Sequence, residues 1–385
     1  MRPADELAPG TAFGPDVVER LPSLVDELGA ASVLLVCGSR SFEASGAARV
    51  LPALERTATV TRWSGFRPNP DVGDLRAGLD RFEAARPDLV VGVGGGTALD
   101  LAKLISVYAA APGTDLHGAI RAGRAPDERP CTLVLVPTTS GSGSEATRVA
   151  IVYIEGKKFS IASPAMRPDR TLLDPLLAVS APPYQRASTG IDALSQAIES
   201  LWAVSATSAS RAHARAAIPR LLRAIEGFVR APEDDTAIAM SLGSHLAGRA
   251  IDVTKTTAAH ALSYGITQTY GLAHGHAVAT TLGPMIAVHA AAVAEGRTLH
   301  LPADRHQRTM TEVLTAFDVA DGQAAASAWR GLLERIGLDP RLSAAGLRTA
   351  TMRRELADSV DPARLANNPV ALDRDALERI IEAAG

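Results

Sequence analysis

Asp192, His260 and His274 are the residues whose types and spacing in this sequence best suit metal chemistry. One carboxylate and two imidazoles are a sufficient protein-ligand set for Fe(II) or Zn(II), and they leave coordination positions open for substrate or water. On one unbroken helix the two histidines would be separated by roughly 21 Å and could not share an ion. Gly265 and Gly271 lie between them, however, and the run TYGLAHGHA predicts that one helix ends and another begins near His274. The alternative is two packed histidines and an aspartate on a helix face, with no ion.

A glycine triplet could provide a phosphate-binding loop. Gly94, Gly95, Gly96 and Thr97 follow the apolar run LVVGV and precede the helical pattern ALDLAKLI. Glycines let the backbone approach a pyrophosphate closely, and the exposed amides at a helix start favour negative charge. The triplet lacks the GxGxxG spacing and follows a later strand than the first, so an ordinary Rossmann assignment is not supported. A tight structural turn is the alternative interpretation.

A second polar loop follows the next strand pattern, TLVLV. It reads PTTSGSGSE over 137–145 and contains the hydroxyls of Thr138, Thr139 and Ser142. In a parallel sheet both loops would lie at the carboxyl ends of the strands, the edge at which open α/β sheets bind ligands. Two such loops after neighbouring strands are hard to explain as turns only, and together they predict a cofactor site.

The pattern of elements predicts two domains that hold these residues. From residue 15 to about 180, apolar β-branched runs such as SVLLVCG alternate with helical segments, which predicts an α/β domain with a mostly parallel, doubly wound sheet. Past Pro182, long Ala/Leu-rich segments with helical spacing replace these runs. We therefore expect a dinucleotide-binding α/β domain over 1–180 and an all-helical, metal- and substrate-binding domain over 181–385. A chain of 385 residues is long enough for two hydrophobic cores.

Composition and charge argue against several other functions. The net charge of −3 provides no electrostatic footprint for a polyanion, and aromatic residues, at 4%, are too few for a large base-stacking surface, so we expect no nucleic-acid partner. Only two cysteines occur, Cys37 and Cys131, and both lie in apolar runs, which argues against a disulfide framework. The sequence shows no secretory leader pattern and no run of about 18 apolar residues. We expect a cytoplasmic location and no membrane contact.

Several motifs together give the chain a family likeness. GGGTALDLAK from residue 94 resembles the GGGSxxDxAK cofactor signature of the iron-containing (group III) alcohol dehydrogenases, and PTTSGSGSEAT from 137 resembles their TTxGTGSE loop. The GFRPNP segment with Asn69, the KKFSI segment with Lys158, the IDAL helix, the HG pair at 274 and the late NNPV follow in the family's order. The resemblance covers nearly the whole chain. It implies a dehydroquinate synthase-like fold, a nicotinamide cofactor, Fe(II) or Zn(II), and a homodimer.

The resemblance implies a metal site with one departure from the family. There an aspartate, a histidine one turn later and two more histidines hold the metal, and these positions correspond to Asp192, Gln196, His260 and His274. A neutral carboxamide oxygen coordinates weakly, so we expect three strong ligands here. A further family histidine near the substrate corresponds to Tyr264. This phenol is therefore a candidate catalytic proton donor, with water as the alternative.

The stretch KTTAAHALSYGITQTYGLAHGHAVA is most similar to the phosphonoacetaldehyde reductase branch of this family. That similarity implies reduction of phosphonoacetaldehyde to 2-hydroxyethylphosphonate, a step of phosphonate biosynthesis. Such an anionic aldehyde needs basic and hydroxyl donors beside the metal. Our candidates are Lys255, Thr256 and Thr257, which precede His260, and Arg148, which follows the second polar loop. Lys255 is also a candidate catalytic residue, and the alternative for each of the four is an ordinary surface position.

The end of the first predicted strand bears on the choice of cofactor. In the family an acidic residue there binds the adenosine ribose of NAD, whereas VCGSRSF places Gly38 at that position, followed by Ser39 and Arg40. Loss of the carboxylate and gain of a guanidinium suit a 2′-phosphate, so we expect NADPH to be accepted at least as well as NADH. The predicted cofactor-binding residues are Gly38, Ser39, Arg40, Asn69, Gly94, Gly95, Gly96, Thr97, Asp100, Thr138, Thr139, Ser142 and Lys158.

Three other functions stay open at this point. A general short-chain alcohol or lactaldehyde dehydrogenase has the same machinery and differs only in substrate. A sugar-phosphate cyclase of the dehydroquinate synthase type shares the architecture, although the loops at 94 and 137 follow the alcohol dehydrogenase form. A non-catalytic cofactor-binding protein is the third, because Gln196 replaces a metal ligand. We expect a reductase that transfers hydride from the nicotinamide to an aldehyde whose oxygen is polarised by the ion.

Overall fold

The chain divides into two units. The structure is a computed structural model and describes residues 6–385. One unit contains the described residues up to Pro182 together with Glu233–Gly248, and the other contains Pro183–Pro232 and Arg249–Gly385.

The segment Glu233–Gly248 belongs to the first unit through two close contacts. Nδ1 of His245 lies 3.1 Å from the carboxylate of Glu145, and both side chains are buried. Nearby, a Cβ on Gly143 would lie only 2.5 Å from the Cα of Gly248, so the two backbones touch. We had placed all residues beyond 180 in one helical domain. This segment differs because paired glycines let it pack directly on the polar loop at 137–145.

The sheet of the first unit is parallel throughout. The strands of this unit are β1 (Thr11–Phe13), β2 (Ser32–Cys37), β3 (Thr59–Trp63), β4 (Leu89–Gly94), β5 (Thr132–Pro137), β6 (Val149–Ile154), β7 (Lys157–Ala162) and β8 (Arg170–Leu173). Six of them form one sheet in the order β1-β8-β5-β4-β2-β3, and every neighbouring pair is parallel. Strands β6 and β7 form a separate antiparallel hairpin.

Apolar cores cover both faces of this sheet. Along β2, Leu34 and Val36 pack into one core, whereas the alternating residues Val33 and Leu35 pack into the other. The helices of the first half of the chain are α1 (Leu21–Glu27), α2 (Ser41–Ala44), α3 (Leu51–Thr57), α4 (Val72–Ala85), α5 (Gly96–Tyr108) and α6 (Leu116–Arg121). The predicted doubly wound α/β fold is confirmed, since period-two side chains are buried on both sides.

From Pro183 onward the described chain is helical, apart from one isolated bridge between Leu299 and Val370. The helices are α7 (Pro183–Trp202), α8 (Ser208–Arg230), α9 (Asp234–Thr254), α10 (Ala258–Tyr270), α11 (His274–Ala291), α12 (Ala303–Ala316), α13 (Gly322–Arg335), α14 (Ala350–Asp358), α15 (Pro362–Leu365) and α16 (Arg374–Ala383). The predicted break between two helices is confirmed: α10 ends at Tyr270, Gly271 adopts φ 71°, and α11 begins at His274.

Three features of the fold escaped prediction. Strands β1 and β8 contain three and four residues, too few to show a hydrophobic period. The β6–β7 hairpin was missed because β7 reads KKFSIA, with lysines at its start. Within residues 6–385, no helix has both the length and the apolar character that crossing a membrane requires.

Candidate metal centre and cofactor loops

Asp192, His260 and His274 come together in the second unit. Asp192 lies on α7, His260 on α10, and His274 is the first residue of α11. One ligand atom of each residue lies within 4.8 Å of the other two. Asp192 and His260 are buried and His274 is half-buried. Side chains from three helices therefore face one point, which is how metal sites are built in helical bundles.

Two glycines make this convergence possible. Gly271 ends α10 in the left-handed conformation and turns the chain toward α11. Gly275 then allows α11 to lie directly on α7, because a Cβ at this position would be 1.9 Å from the carbonyl oxygen of Ser188 and 2.7 Å from Cβ of Asp192. The HG pair thus places His274 beside Asp192, because the glycine that follows His274 has no side chain to collide with α7.

Glu199 orients His260 from its far side. This fully buried carboxylate lies two turns after Asp192 on α7, and its Oε2 contacts Nδ1 of His260. Its Oε1 accepts hydrogen bonds from the backbone N–H groups of Thr257 and Ala259, at 3.2 and 3.1 Å, where α10 begins. In the neutral ring Nδ1 donates to Glu199, so Nε2 keeps the lone pair and lies 3.3 Å from Oδ1 of Asp192. Sequence analysis missed Glu199, although its spacing from Asp192 on one helix face was visible.

Ser263 sets the tautomer of the second imidazole. Its hydroxyl donates to the carbonyl of His260 at 2.7 Å, and its Oγ lies 3.3 Å from Nδ1 of His274. Because that hydroxyl has given its one proton to a carbonyl, it can only accept from the ring. Nδ1 of His274 therefore carries the proton and Nε2 keeps a lone pair. Sequence analysis missed this residue too, although it lies one turn after His260.

The electrostatics of the cluster favour a cation. Burial lowers the pKa of His260, but the carboxylates of Glu199 and Asp192 outweigh burial and raise the pKa to about 10. A proton and a metal ion therefore compete for Nε2, and metal binding has to release that proton. Among the described residues this buried nitrogen has no hydrogen-bond partner, a deficit that a ligand bond to a metal removes. The residues present thus fit Fe(II) or Zn(II).

Gln196 differs from the fourth ligand that the resemblance implies. Its Nε2 donates a hydrogen bond to Oδ2 of Asp192 at 3.0 Å, and both side chains are buried. A carboxylate only accepts, so the amide nitrogen of Gln196 has to face it. The amide oxygen has no hydrogen-bond partner within residues 6–385. In this arrangement the amide nitrogen of Gln196 orients Asp192, and the amide oxygen is the atom that a fourth, weaker metal bond would use.

The predicted anion-binding residues of the second unit have different surroundings. The hydroxyl of Thr257 donates to Oε1 of Glu199 at 2.6 Å and accepts from Nε1 of Trp202 at 3.0 Å. We expect Thr257 to bind substrate, and this stays a prediction; in the structure the buried carboxylate of Glu199 takes its proton. Lys255 follows α9, is exposed and adopts φ 58°. Thr256 is half-buried, and its carbonyl accepts a hydrogen bond from Asn367.

The ring of Tyr264 packs against His274, and the guanidinium of Arg364 packs over the same ring. Sequence analysis missed this arginine. The rings of Tyr264 and His274 stack with centroids 6.1 Å apart and planes at 15°. The guanidinium carbon of Arg364 lies 4.7 Å from the centroid of the phenol ring, and Nη1 donates to the phenol oxygen at 3.2 Å. Arg364 lies on α15, 100 residues further along the chain, so no local pattern pointed to it.

In the first unit the two predicted phosphate loops lie side by side, after the neighbouring strands β4 and β5. A Cβ on Gly96 would lie 3.1 Å from Oγ of Ser142, and a Cβ on Gly95 would lie 3.4 Å from Cγ2 of Thr139. Helix α5 begins at Gly96, so its first amides lie at this edge of the sheet. This is the arrangement expected of an anion cradle. The predicted residues on the two loops are Gly94, Gly95, Gly96, Thr97, Thr138, Thr139 and Ser142.

Asp100 and Lys103 hold these loops together. Asp100 accepts from the hydroxyl of Ser144 at 2.6 Å and from the N–H of Ile151 at 3.0 Å. Lys103 is fully buried, and its Nζ donates to Oγ1 of Thr147 at 3.1 Å. Burial raises the pKa of Asp100, and Lys103 opposes that rise. We expect Asp100 to bind cofactor, and this stays a prediction; the contacts observed for its two oxygens are with donors within the fold, where they support the loops.

The remaining predicted residues of the first unit lie nearer the surface. Ser39 and Arg40 are exposed directly after β2. Asn69 is exposed and adopts the left-handed conformation, with φ 59°. Half-buried positions are occupied by Gly38, Arg148 and Lys158.

Family models match both halves of the chain. Residues 9–175 match iron-containing alcohol dehydrogenase, and residues 186–385 match the C-terminal part of the Fe-containing alcohol dehydrogenase family. The chain therefore belongs to the iron-containing alcohol dehydrogenase family, as its motifs predicted.

Relatives and solved structures agree with this assignment. The chain is 32% identical to long-chain-alcohol dehydrogenase 1 of Geobacillus thermodenitrificans over 71% of this chain and 70% of that one. It is also 32% identical to the phosphonoacetaldehyde reductase of Streptomyces viridochromogenes over 81% of this chain and 80% of that one. The sulfoacetaldehyde reductase of Bifidobacterium kashiwanohense, solved in complex with NAD+, superposes with a TM-score of 0.87 at 25% identity, covering 98% of this chain and 97% of that one. The chain is thus an NAD(P)-dependent alcohol dehydrogenase or aldehyde reductase.

Proposed function

We propose that this protein reduces a small aldehyde that carries an anionic group, with NADPH or NADH as the hydride donor and Fe(II) or Zn(II) as the metal. Phosphonoacetaldehyde, which would give 2-hydroxyethylphosphonate, is the first candidate substrate. The observation that carries the proposal is the convergence of Asp192, His260 and His274, with Nδ1 of the two imidazoles in contact with Glu199 and Ser263, which leaves Nε2 of each ring for a ligand bond. Two relatives are named for aldehydes that bear a phosphonate or a sulfonate.

In this proposal the residues of the second unit have separate roles in the reduction. When bound by Asp192, His260 and His274, the metal supplies Lewis-acid stabilisation of the oxygen that gains negative charge. A bound nicotinamide would supply the hydride for the carbonyl carbon, and the protein would have to deliver a proton to the oxygen to complete the alcohol. Tyr264 lies against His274 and its oxygen already accepts from Arg364, so the phenol O–H serves as the proton donor.

The loops of the first unit supply the cofactor site in this proposal. The glycine triplet and the start of α5 bind the pyrophosphate through backbone amides. Gly38 removes the carboxylate that would repel a 2′-phosphate, and the exposed guanidinium of Arg40 attracts it. NADPH and NADH are therefore both accepted, with NADPH favoured.

The test uses the purified full-length chain, stripped of metal and reconstituted anaerobically with Fe(II) or Zn(II). We expect metal-dependent oxidation of NADPH with phosphonoacetaldehyde, at a kcat/KM about 10–100-fold above that for propanal, the range of one hydrogen bond between charged groups. Asp192→Ala abolishes turnover, whereas the exposed control Asp304→Ala on α12 keeps it. Turnover that is unaffected by chelation or by Asp192→Ala would overturn the metal role.

A general alcohol dehydrogenase is the second candidate, supported by the similarity to a long-chain-alcohol dehydrogenase. It shares the metal centre and the cofactor loops, so only the substrate distinguishes the two. A kcat/KM for propanal equal to or above that for phosphonoacetaldehyde would favour this alternative.

A further inference from the structure

We propose that Arg364 binds the anionic group of the substrate and thereby determines specificity. This inference rests on the proposed function and adds the residue that recognises the substrate's charge. The group recognised is an oxyanion, whether phosphonate, sulfonate or carboxylate, since all three match the donor fork of a guanidinium.

The position of Arg364 is the first argument. Its guanidinium carbon lies 4.7 Å from the ring of Tyr264, and that ring lies 6.1 Å from the ring of His274. Two consecutive stacking contacts therefore connect this cation to a residue of the metal-ligand cluster. A short substrate whose carbonyl reaches the cluster would bring a charge two or three bonds away toward the guanidinium.

The charge of Arg364 is the second argument. Within residues 6–385 no carboxylate lies within 4.0 Å of its guanidinium, whereas many other arginines of the chain have such a partner. Its one hydrogen bond in the described chain goes to the phenol of Tyr264. A guanidinium has five N–H donors, so most of them remain for a ligand. A half-buried cation with no neutralising carboxylate beside a reaction centre favours an anion.

The segment that carries Arg364 is held in place, which is the third argument. A Cβ on Gly265, next to Tyr264, would lie 2.7 Å from Oγ of Ser359, so α10 and this segment touch through a glycine. On the other side of Arg364, Nδ2 of Asn367 donates to the carbonyl of Thr254 at 2.8 Å. Anchors on both sides preorganise the guanidinium and reduce the entropy lost on binding.

The alternatives in the second unit are weaker. The hydroxyl of Thr257 donates to Glu199, and the side chain of Lys255 is exposed at the end of α9. Thr257 is connected to the ring of His274 only through Glu199 and His260. Lys255 has no contact in the described structure that connects it to this ring, as Arg364 has through Tyr264.

The experiment compares the reconstituted wild type with Arg364→Gln and Arg364→Lys, and uses Arg308→Gln as a control because Arg308 is an exposed arginine of the same unit. Substrates are phosphonoacetaldehyde, sulfoacetaldehyde, malonate semialdehyde and propanal, so the arms separate the three oxyanions from a neutral aldehyde. Arg364→Gln should lower kcat/KM for the preferred anionic aldehyde about 10–100-fold more than for propanal, mainly through KM; any loss shared by propanal reports the contact of Arg364 with Tyr264. Arg364→Lys should recover part of the loss, and Arg308→Gln should have no effect.

Equal losses for propanal and the anionic aldehydes would overturn the proposal, because Arg364 would then only support Tyr264. No loss for any substrate would overturn it as well. Calorimetric titration with ethylphosphonate, an unreactive anion, provides a readout that needs no turnover. We expect wild type to bind it and Arg364→Gln to lose that binding.

The two proposals can fail separately. If the wild type reduces none of the four aldehydes, the proposed function fails, and the ethylphosphonate titration alone decides the role of Arg364. Binding by wild type that disappears in Arg364→Gln supports the anion site even then. Absent or equal binding in both proteins rejects it.

Discussion

Glu199 fixes both the position of His260 and the start of the helix that carries it. One of its oxygens accepts from backbone N–H groups at the beginning of α10, and the other contacts Nδ1 of the imidazole. A single buried carboxylate on α7 therefore places the nitrogen that faces Asp192. Such carboxylate–histidine pairs orient metal ligands and increase their basicity.

Replacing Glu199 should weaken metal binding without removing a ligand. In Glu199→Gln one carboxylate oxygen is replaced by an amide nitrogen, which only donates. This nitrogen must face either the backbone N–H groups of α10 or the N–H of His260, so in both orientations one donor faces another. We expect the affinity for Zn(II) to fall about 10–100-fold in a chelator competition assay. The exposed Glu312, paired with Arg215 on the surface, provides the control Glu312→Gln. Unchanged affinity in the folded Glu199→Gln variant would contradict the role given to this carboxylate.

Replacing Gln196 by histidine should strengthen metal binding. Gln196 and Asp192 lie one turn apart on α7 and already touch, so an imidazole at 196 adds a donor on the same helix face. We expect Gln196→His to lower the Kd for Fe(II) or Zn(II) by at least about tenfold, since each added nitrogen ligand strengthens such sites. Gln196→Leu, which removes the donor to Asp192 at similar volume, should weaken binding. Weaker binding by Gln196→His than by wild type would show that the fourth position is closed.

Lys103 should contribute strongly to the stability of the first unit. Lys103→Met keeps the aliphatic packing but removes the buried cation that acts most strongly on the buried carboxylate of Asp100. Removing one partner of a buried pair costs about 3–5 kcal/mol, which corresponds to a fall in Tm of about 6–20 °C for a unit of this size. Thermal unfolding followed by circular dichroism measures it, with exposed Lys157→Met as the control. Adding Asp100→Asn to Lys103→Met should recover part of the loss, and a Tm like that of the control would refute the pairing.

Much of the fold was predictable because its buried strands are recognisable from their own sequences. Strands β2, β4 and β5 are buried on both faces, so their sequences are continuous apolar runs. The packing of Glu233–Gly248 with the first unit was not predictable, because it depends on contact between Gly143 and Gly248, which are far apart in sequence. Local pattern predicts elements, whereas tertiary contact decides which unit a helix joins.

The residues of the candidate site were likewise only partly predictable from the sequence. The three ligand residues were predictable from their chemical types and from the glycine that separates two helices. Motif matching also singled out Asp100. A motif identifies a residue but not the groups that it contacts, and in the structure the carboxylate of Asp100 accepts a hydrogen bond from Ser144. Arg364 gave no signal, because its contact with Tyr264 spans 100 residues.

The residues after β2 should control the choice between NADPH and NADH. Arg40 is exposed and can meet a 2′-phosphate, so Arg40→Ala should raise KM for NADPH about 10–100-fold and leave KM for NADH nearly unchanged, as expected for one hydrogen bond between charged groups. Gly38→Asp restores a carboxylate for the ribose hydroxyls of NADH. A Cβ at 38 would lie 2.1 Å from Oγ of Ser41, so Ser41→Ala is added to make room. Steady-state kinetics with both cofactors should show preference for NADH in Gly38→Asp/Ser41→Ala, with Ser41→Ala alone as the control. A double variant that still prefers NADPH would place the 2′-phosphate elsewhere.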